Sequence, residues 1–533
     1  MLICILYLIQ KFKKLHNKAK YFLILISLSV ISIPILLFPL SGDLSVMFLG
    51  GKSIANGGKI YIDFIDIKQP FIYYFFAISN ILFGDSEIAP RILDYIIQLS
   101  TAIITFFVVM KITGKSIIAF LSSLTYIIVY ISLNYSNTAQ CESYTGLILI
   151  LLIHFLMKDE TKVKEYFIIG ALIGILGGLK ITFLMILFAL PILNIPNDND
   201  FWRKSIIKLL SFLSGLILLL FLTHLPLSDV SIFSGFKDAL SFLAFYSDFP
   251  PINADFIRES LKKTAIFFGD NYSILLFFAS VWVFKLYLTD KIEARTKKLL
   301  NIAFIFTIFL FLSVVIERKM MEYHFSRFLL PISIVSSFGI YNLYKVFIEK
   351  FKKNSSLSRL ILSVIAVFFL LFSPLPRYFN MFAMSYFYFF NKDAYNQMYS
   401  DENSSSNNRI EQLEVINNLK NINKSDFVLV INSGGNIINH KLGCRITGFG
   451  HSCFYLSVLK LDAWRKKFYD ELTAADWLVI QKNDRHYFMT RTNMSSYELI
   501  MNEPVFSDFI RKAFKFKTEL NNYVILKNKL NSE

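Results

Sequence analysis

Cysteine is scarce, four in 533 residues, and no Cys-x-x-Cys or Cys/His spacing of a structural zinc site occurs, so a disulfide scaffold is excluded. Charge is also sparse: Asp, Glu, Lys and Arg make up 18% of the chain, and acids (39) are outnumbered by Lys and Arg (55). Proline (13) and glycine (21) are few beside abundant Ile, Lys, Asn and Phe, a bias of A/T-rich bacterial coding that carries nothing on mechanism. No Gly-x-Ser-x-Gly elbow or zinc-protease helix is present. Gly51-Lys52-Ser53 imitates the end of a phosphate-binding loop, but Val46 holds the position that needs the first glycine. Asp63 and Asp66 are not spaced as Asp-x-Asp, which leaves a metal-bound nucleotide sugar without support. Ser433 to Asn436 is only a Gly-rich turn, and no repeat occurs at solenoid periods.

What is abundant is apolar: 55% hydrophobic, 16% aromatic, mean hydropathy +0.51. Apolar stretches of about 16 to 25 residues, long enough to cross hydrocarbon, recur through the first 375 positions. The formal net charge of +16 gathers in short runs between them, as the positive-inside rule requires of a membrane protein, rather than as a nucleic-acid surface. The segment 1–10 is apolar but too short to span, and the lysines of 11–20 hold a cytoplasmic N-terminus. Residues 21–40 make the first pass. Further passes are expected at 88–110, 116–134, 145–157, 167–178, 182–195, 209–225, 271–287, 299–316, 328–347 and 360–375, eleven in all, which puts the C-terminus outside. Segments 70–84 and 234–249 are amphipathic and suit interfacial helices.

Composition turns polar at 401–408, after the aromatic stretch 378–390. Beyond it the pattern predicts helix 409–419, strand 427–431, helix 461–472, strand 477–480, helix 505–515 and strand 523–526, a small α/β domain. The domain plan is thus a basic N-terminus (1–20), a transmembrane domain (21–375) with a large external loop (41–87), an interfacial segment and linker (376–408), and an external domain (409–533). Cys444 and Cys453 fall in that external domain, where an oxidising compartment permits a disulfide between them.

Ionisable groups inside the spans are few, chiefly Asp94, His154 and Lys180. A transporter would carry midplane charges and repeat symmetry. His154 and His224 suit interhelical hydrogen bonding. Polar chemistry concentrates instead on the outer face, at Asp43, Asp63, Asp66, Lys68, Glu87, Arg91, Glu142, His324 and Arg327.

The first external loop carries Asp43 directly after the first span, then Tyr61-Ile62-Asp63, Lys68-Gln69-Pro70-Phe71-Ile72-Tyr73-Tyr74, Phe83-Gly84 and Ala89-Pro90-Arg91-Ile92. This sequence resembles the first loop of GT-C glycosyltransferases, in the branch of protein O-mannosyltransferases and bacterial lipid A aminoarabinose transferases. The resemblance covers mainly residues 20–195, with echoes in Tyr323-His324-Phe325-Ser326-Arg327 and in the C-terminal domain. It departs where Leu44 follows Asp43 in place of a second acid, and where Lys68-Gln69-Pro70 stands for Lys-Pro-Pro. The resemblance implies a helical polytopic fold and an inverting transfer of a sugar from a polyprenyl-phosphate donor.

It makes Asp43 the base on the acceptor hydroxyl, with Glu142 as the second carboxylate. Lys68, Arg91, Lys180, His324 and Arg327 become candidates for the donor phosphate. Lys68 otherwise suits a headgroup anchor, and Arg91 and Lys180 suit snorkelling residues. The partners implied are the lipid-linked donor, an envelope acceptor (lipid A, another glycan or a protein) and membrane lipids, with no nucleic acid. No cofactor is expected, and no motif supports a divalent metal. The location implied is the bacterial inner membrane, multi-pass, with chemistry on its outer face. An envelope glycan polymerase or ligase, and a lipid or glycan transporter, are the alternatives.

Overall fold

The computed structural model describes residues 17–40, 42–158, 160–193, 201–289, 292–353, 356–400, 408–423, 425–432, 437–443, 445, 447–450, 455–456 and 461–529. The apolar segment 1–10, the turn 433–436 and both Cys444 and Cys453 lie outside the described residues. The protein is a helical membrane domain with a small α/β domain packed on one end. By length and composition five helices can cross a membrane: Lys18–Leu37, Ala89–Thr113, Ile206–Ser228, Ala294–Glu317 and Glu322–Phe351. Two bent pairs pass the same test, Ala254–Tyr272 with Ile274–Leu288 at 103° and Leu360–Leu371 with Leu375–Phe390 at 53°. Pro70–Phe83, Ser116–Ser132, Cys141–Leu156 and Ile181–Ile192 are shorter apolar helices. The expected pass at 182–195 takes the form of a 3-10 helix, Ile181–Phe188, running into one α-turn, Ala189–Leu193.

Local chemistry explains the joints. Ala89–Thr113 starts with Pro90 in its first turn, where a missing N–H costs nothing. It stops at Gly114, whose φ of 65° and N–H to the Met110 carbonyl close the helix and turn the chain into Ser116–Ser132. Across that hairpin the Ser123 hydroxyl donates to the Ala102 carbonyl at 2.7 Å, a polar stitch between apolar faces. Val163–Leu179 and Phe201–His224 approach backbone to backbone. A methyl on Gly170 would overlap the Phe212 carbonyl, and one on Gly215 the Phe167 carbonyl, so the contact needs both glycines.

In the first loop, Gly42–Ala55 and Pro70–Phe83 form two helices packed face to face, with Gly51 against the backbone of Phe76 and Ala77. Pro70–Phe83 leaves Ile78, Ile81 and Leu82 exposed, the apolar face expected of an interfacial helix. The segment expected as a second interfacial helix is Val230–Ser247, capped by Asp229.

The α/β domain is built on a four-stranded sheet: β1 (Val428–Ile431), β2 (Trp477–Gln481), β3 (Phe514–Glu519) and β4 (Tyr523–Asn528), in the order β1-β2-β4-β3. β1 and β2 are parallel, with Val428 opposite Trp477; β4 runs antiparallel to both β2 and β3. β1 and β2 are buried throughout, hence their unbroken apolar sequence. β3 was not expected. The sequence pattern carries the preceding helix through 515, whereas the helix closes at Ala513 and the strand begins at Phe514. Phe-Lys-Phe-Lys-Thr-Glu is an edge strand that exposes most of its residues and carries Lys outward, as edges must.

Candidate active site

Asp43 is the second residue of helix Gly42–Ala55, where the helix dipole favours a carboxylate. Its Oδ2 lies 3.5 Å from the Lys68 ammonium and 3.5 Å from the Tyr323 hydroxyl, which donates to it. Its side chain keeps 27% of its surface open, whereas the neighbouring Asp66 is sealed at 0%. Asp66 accepts from the Tyr73 hydroxyl at 2.6 Å and the Tyr455 hydroxyl at 2.5 Å, and faces the Lys68 ammonium at 3.6 Å. Lys68 is held from behind: Tyr61, at a positive φ of 66°, donates its hydroxyl to the Lys68 carbonyl at 2.6 Å. Burial works against the Lys68 ammonium, but Asp43 and then Asp66 outweigh it and keep its pKa above the ordinary lysine value. The lysine is therefore a fixed positive charge beside an accessible carboxylate.

Four more of the expected residues meet in a second cluster, around an acid that sequence reasoning missed. Glu317 ends the apolar helix Ala294–Glu317, and Glu142 lies in the 3-10 turn Cys141–Tyr144. Lys180 bridges them, 2.8 Å from Glu142 and 2.7 Å from Glu317. Arg327 forks onto the same pair, 2.9 Å to Glu142 and 3.0 and 3.1 Å to the two Glu317 oxygens, with Ser313 as a further acceptor at 2.8 Å. His324 Nε2 stands 3.5 Å from Glu317, and the Thr182 hydroxyl donates to the same carboxylate. Two acids and two fixed cations cancel, which is what allows Arg327 (0% exposed) and Glu142 (2%) to be buried. Lys180 keeps 29% of its side chain open.

Glu142, Glu317 and His324 bring one possible ligand atom each within 4.8 Å, a donor set that metals accept. Lys180 and Arg327 already occupy those carboxylate oxygens, so a divalent cation would have to displace both. The geometry fits an ion-paired cluster better than a metal centre. The two clusters adjoin. Tyr323 reaches Asp43 while the next residue, His324, faces Glu317, and the buried Cys141 thiol feels Glu142, Lys180, Lys68 and Asp43 together.

Arg91, expected at the donor phosphate, is placed elsewhere. Its guanidinium donates to the carbonyls of Phe38 (3.2 Å), Pro39 (2.8 Å) and Tyr135 (2.9 Å) and to the Thr138 hydroxyl (2.9 Å), and it is 0% exposed. Asp94, one turn on, accepts from Tyr130 and Gln98, and Tyr130 in turn takes the Ala139 N–H. Arg91 thus pins the segment before Asp43 to the segment before Glu142 and has no exposed surface to offer a ligand. A basic residue at the mouth of a span gives no hint in sequence that carbonyls about fifty positions away will claim it.

The α/β domain closes over the first loop. Ile65 lies opposite Phe449 in a parallel bridge, its N–H donating to the Gly448 carbonyl at 2.7 Å and its carbonyl accepting from the Gly450 N–H at 3.0 Å, and Tyr455 reaches Asp66. Glu87 takes Arg409 at 2.9 Å and Lys441 at 2.5 Å. Burial opposes ionisation of Glu87, yet Arg409 and Lys441 together pull its pKa from 4.5 down to about 2. A depressed carboxylate stabilises above its unfolded pKa and loses that contribution as the pH falls through its folded one. The docking of the α/β domain should hold at pH 5 and loosen progressively between about pH 4.5 and pH 2. Limited proteolysis of the 401–408 linker across that range measures it, and Glu87→Gln should remove the dependence.

The arrangement is that of a polytopic membrane protein of the GT-C fold: helices carrying a long first loop, with an α/β domain laid over it. Residues 68–226 match the family of dolichyl-phosphate-mannose-protein mannosyltransferases. No curated protein matches the chain. Among solved structures, ArnT from Cupriavidus metallidurans bound to undecaprenyl phosphate superposes with a TM-score of 0.56 at 10% identity, covering 97% of this chain and 99% of its own. The apo state of the same ArnT gives a TM-score of 0.56 at 11% identity, covering 96% and 98%. At such identities the likeness establishes the fold, over nearly the whole length of both chains.

Proposed function

We propose that the protein is an inverting glycosyltransferase that moves a sugar from a polyprenyl-phosphate donor to an envelope acceptor, lipid A, another glycan or a protein, on the outer face of the bacterial inner membrane. The observation that carries this is the accessible Asp43 carboxylate beside a fixed Lys68 ammonium, one residue contact away from the buried Glu142/Glu317/Lys180/Arg327 cluster. The family match over residues 68–226 supports the donor class, as does the undecaprenyl phosphate bound to the ArnT of the same fold.

In the reaction the acceptor oxygen bonds to the anomeric carbon as the bond from that carbon to the carrier phosphate breaks. Asp43 receives the acceptor proton. The departing phosphate gains charge, and the open ammonium groups of Lys68 and Lys180 are the cations with surface to meet it. Arg327, fully buried, holds Glu142 and Glu317 so that Lys180 is presented. Glu142 is a positioning residue here rather than a second base, because it is buried and its carboxylate is engaged by Lys180 and Arg327, out of reach of an acceptor hydroxyl.

Incubating purified protein with radiolabelled polyprenyl-phosphate sugars and bacterial envelope fractions tests the reading. Label moving into one fraction names donor and acceptor together, and no transfer from any lipid-linked donor would reject it. Lys68→Ala should raise the donor KM by about tenfold or more, the value of a charge-assisted phosphate contact. The lysine pKa is raised, so its charge is complete below 10.5 and any activity change between pH 6 and 9 must come from another group. Orientation has its own check. Alkaline phosphatase fused after Asn408 should be active if residues beyond it are external, and activity from a cytoplasm-dependent reporter alone would reverse that assignment.

A further inference from the structure

Helix Ala294–Glu317 carries the candidate active site at one end and a different feature at the other. Lys298 and Glu317 are nineteen residues apart on it, about 28 Å, close to the thickness of a hydrocarbon core. At the Lys298 end lies a cavity of about 430 Å³ between this helix, Ile274–Leu288 and the ends of Thr145–Leu156 and Ala189–Leu193. Its wall is graded. Lys298 and, one turn deeper, Asn301 supply the polar end; Ile302, Ile305 and Ile308 continue the same helix face toward the membrane centre, with Phe284 opposite.

The level of the polar end is marked independently. Lys297 lies over the Tyr287 ring at 4.9 Å and Lys285 over Trp282 at 5.2 Å, the pattern of cations and amphipathic rings at a membrane interface. Lys298 donates one hydrogen bond to the Lys158 carbonyl at 3.2 Å, and an ammonium has three donors.

We propose that this cavity binds a phospholipid with an anionic headgroup, drawn from the leaflet opposite the candidate active site. The phosphate sits on Lys298 and Asn301, and an acyl chain lies along Ile302, Ile305 and Ile308. Basic pockets between spanning helices favour such headgroups, and Lys285, Lys297 and Lys298 gather at this end, while the neighbouring Lys158 is paired with Glu165 at 2.6 Å. A zwitterionic lipid would gain the apolar limb but not the charge. The proposal is independent of the transfer reaction, since the polar end of the cavity, where the headgroup sits, lies at the opposite end of the helix from Glu317, about 28 Å away.

Native mass spectrometry of the full chain in mild detergent, with phosphatidylglycerol and phosphatidylcholine added in competition, tests it. One phosphatidylglycerol per chain should survive activation in preference to phosphatidylcholine. Lys298→Glu should lower that retention about tenfold or more, and Ile305→Trp, which fills the apolar limb with the charge intact, should lower it as well. Equal retention of the two lipids, unchanged retention in both variants, or displacement of phosphatidylglycerol by an added polyprenyl phosphate would each overturn the proposal. Should the variants fail to fold, the competition on the wild-type chain decides alone.

Discussion

Asp43→Asn should lower transfer by a factor of about 10² to 10⁴, the usual loss on removing a general base. Asparagine keeps the size of the side chain and an oxygen that can still accept from Tyr323, so the local fold has little reason to change. What it cannot do is take a proton. Asp43 is also the carboxylate of the two clusters with the most open surface, which makes it the one that an acceptor hydroxyl can reach. The measurement is the initial rate at saturating donor, with expression and melting temperature followed in parallel. A rate within about threefold of wild type would remove Asp43 from the chemistry and leave it as a counter-ion for Lys68. Loss of rate with an unchanged donor KM, set against the KM effect of Lys68→Ala, separates the base from the phosphate contact.

The contrast between these residues shows what the sequence could reveal. Asp43 and Lys68 were legible because both lie in one continuous loop whose spacing is a pattern in itself. Glu142, Lys180, His324 and Arg327 were individually visible as charges at the edges of apolar runs, but nothing in sequence said that they form one cluster. The missing piece was Glu317. A single acid at the end of a long apolar run, directly before Arg318 and Lys319, looks like a solvated helix end, and only the fold brings it onto Arg327 and Lys180. Arg91 shows the converse: its type and place suited a phosphate, while its hydrogen bonds go to carbonyls of two other loops.

The same distinction holds for the architecture. Strands β1, β2 and β4 were expected within a residue or two, since short apolar runs bounded by polar residues have few other uses. β3 escaped because Phe-Lys-Phe-Lys continues smoothly from an amphipathic helix whose last turn is also basic. Spans with a long apolar run were plain. The region around Lys180 was not, because a 3-10 helix covers more length per residue than an α-helix and so needs fewer apolar residues.

Glu317→Ala should be among the most damaging substitutions for stability, costing about 3–5 kcal/mol, because it leaves Arg327 buried with half its partners gone. The expected reading is a marked fall in melting temperature in detergent, together with lost transfer. The physical cause can be isolated with a second variant. Glu317→Ala combined with Arg327→Met removes both sides of the pair and replaces the guanidinium side chain with a shorter, unbranched apolar one, which relieves the unpaired charge. The double variant should therefore melt above the single one while remaining poorly active, since Lys180 has lost one of the two carboxylates that aim it. A single variant as stable as wild type would show that the cluster is not electrostatically closed, and a double variant less stable than the single would show that Arg327 contributes through its packing on Phe183, 4.9 Å from its guanidinium, more than through its charge.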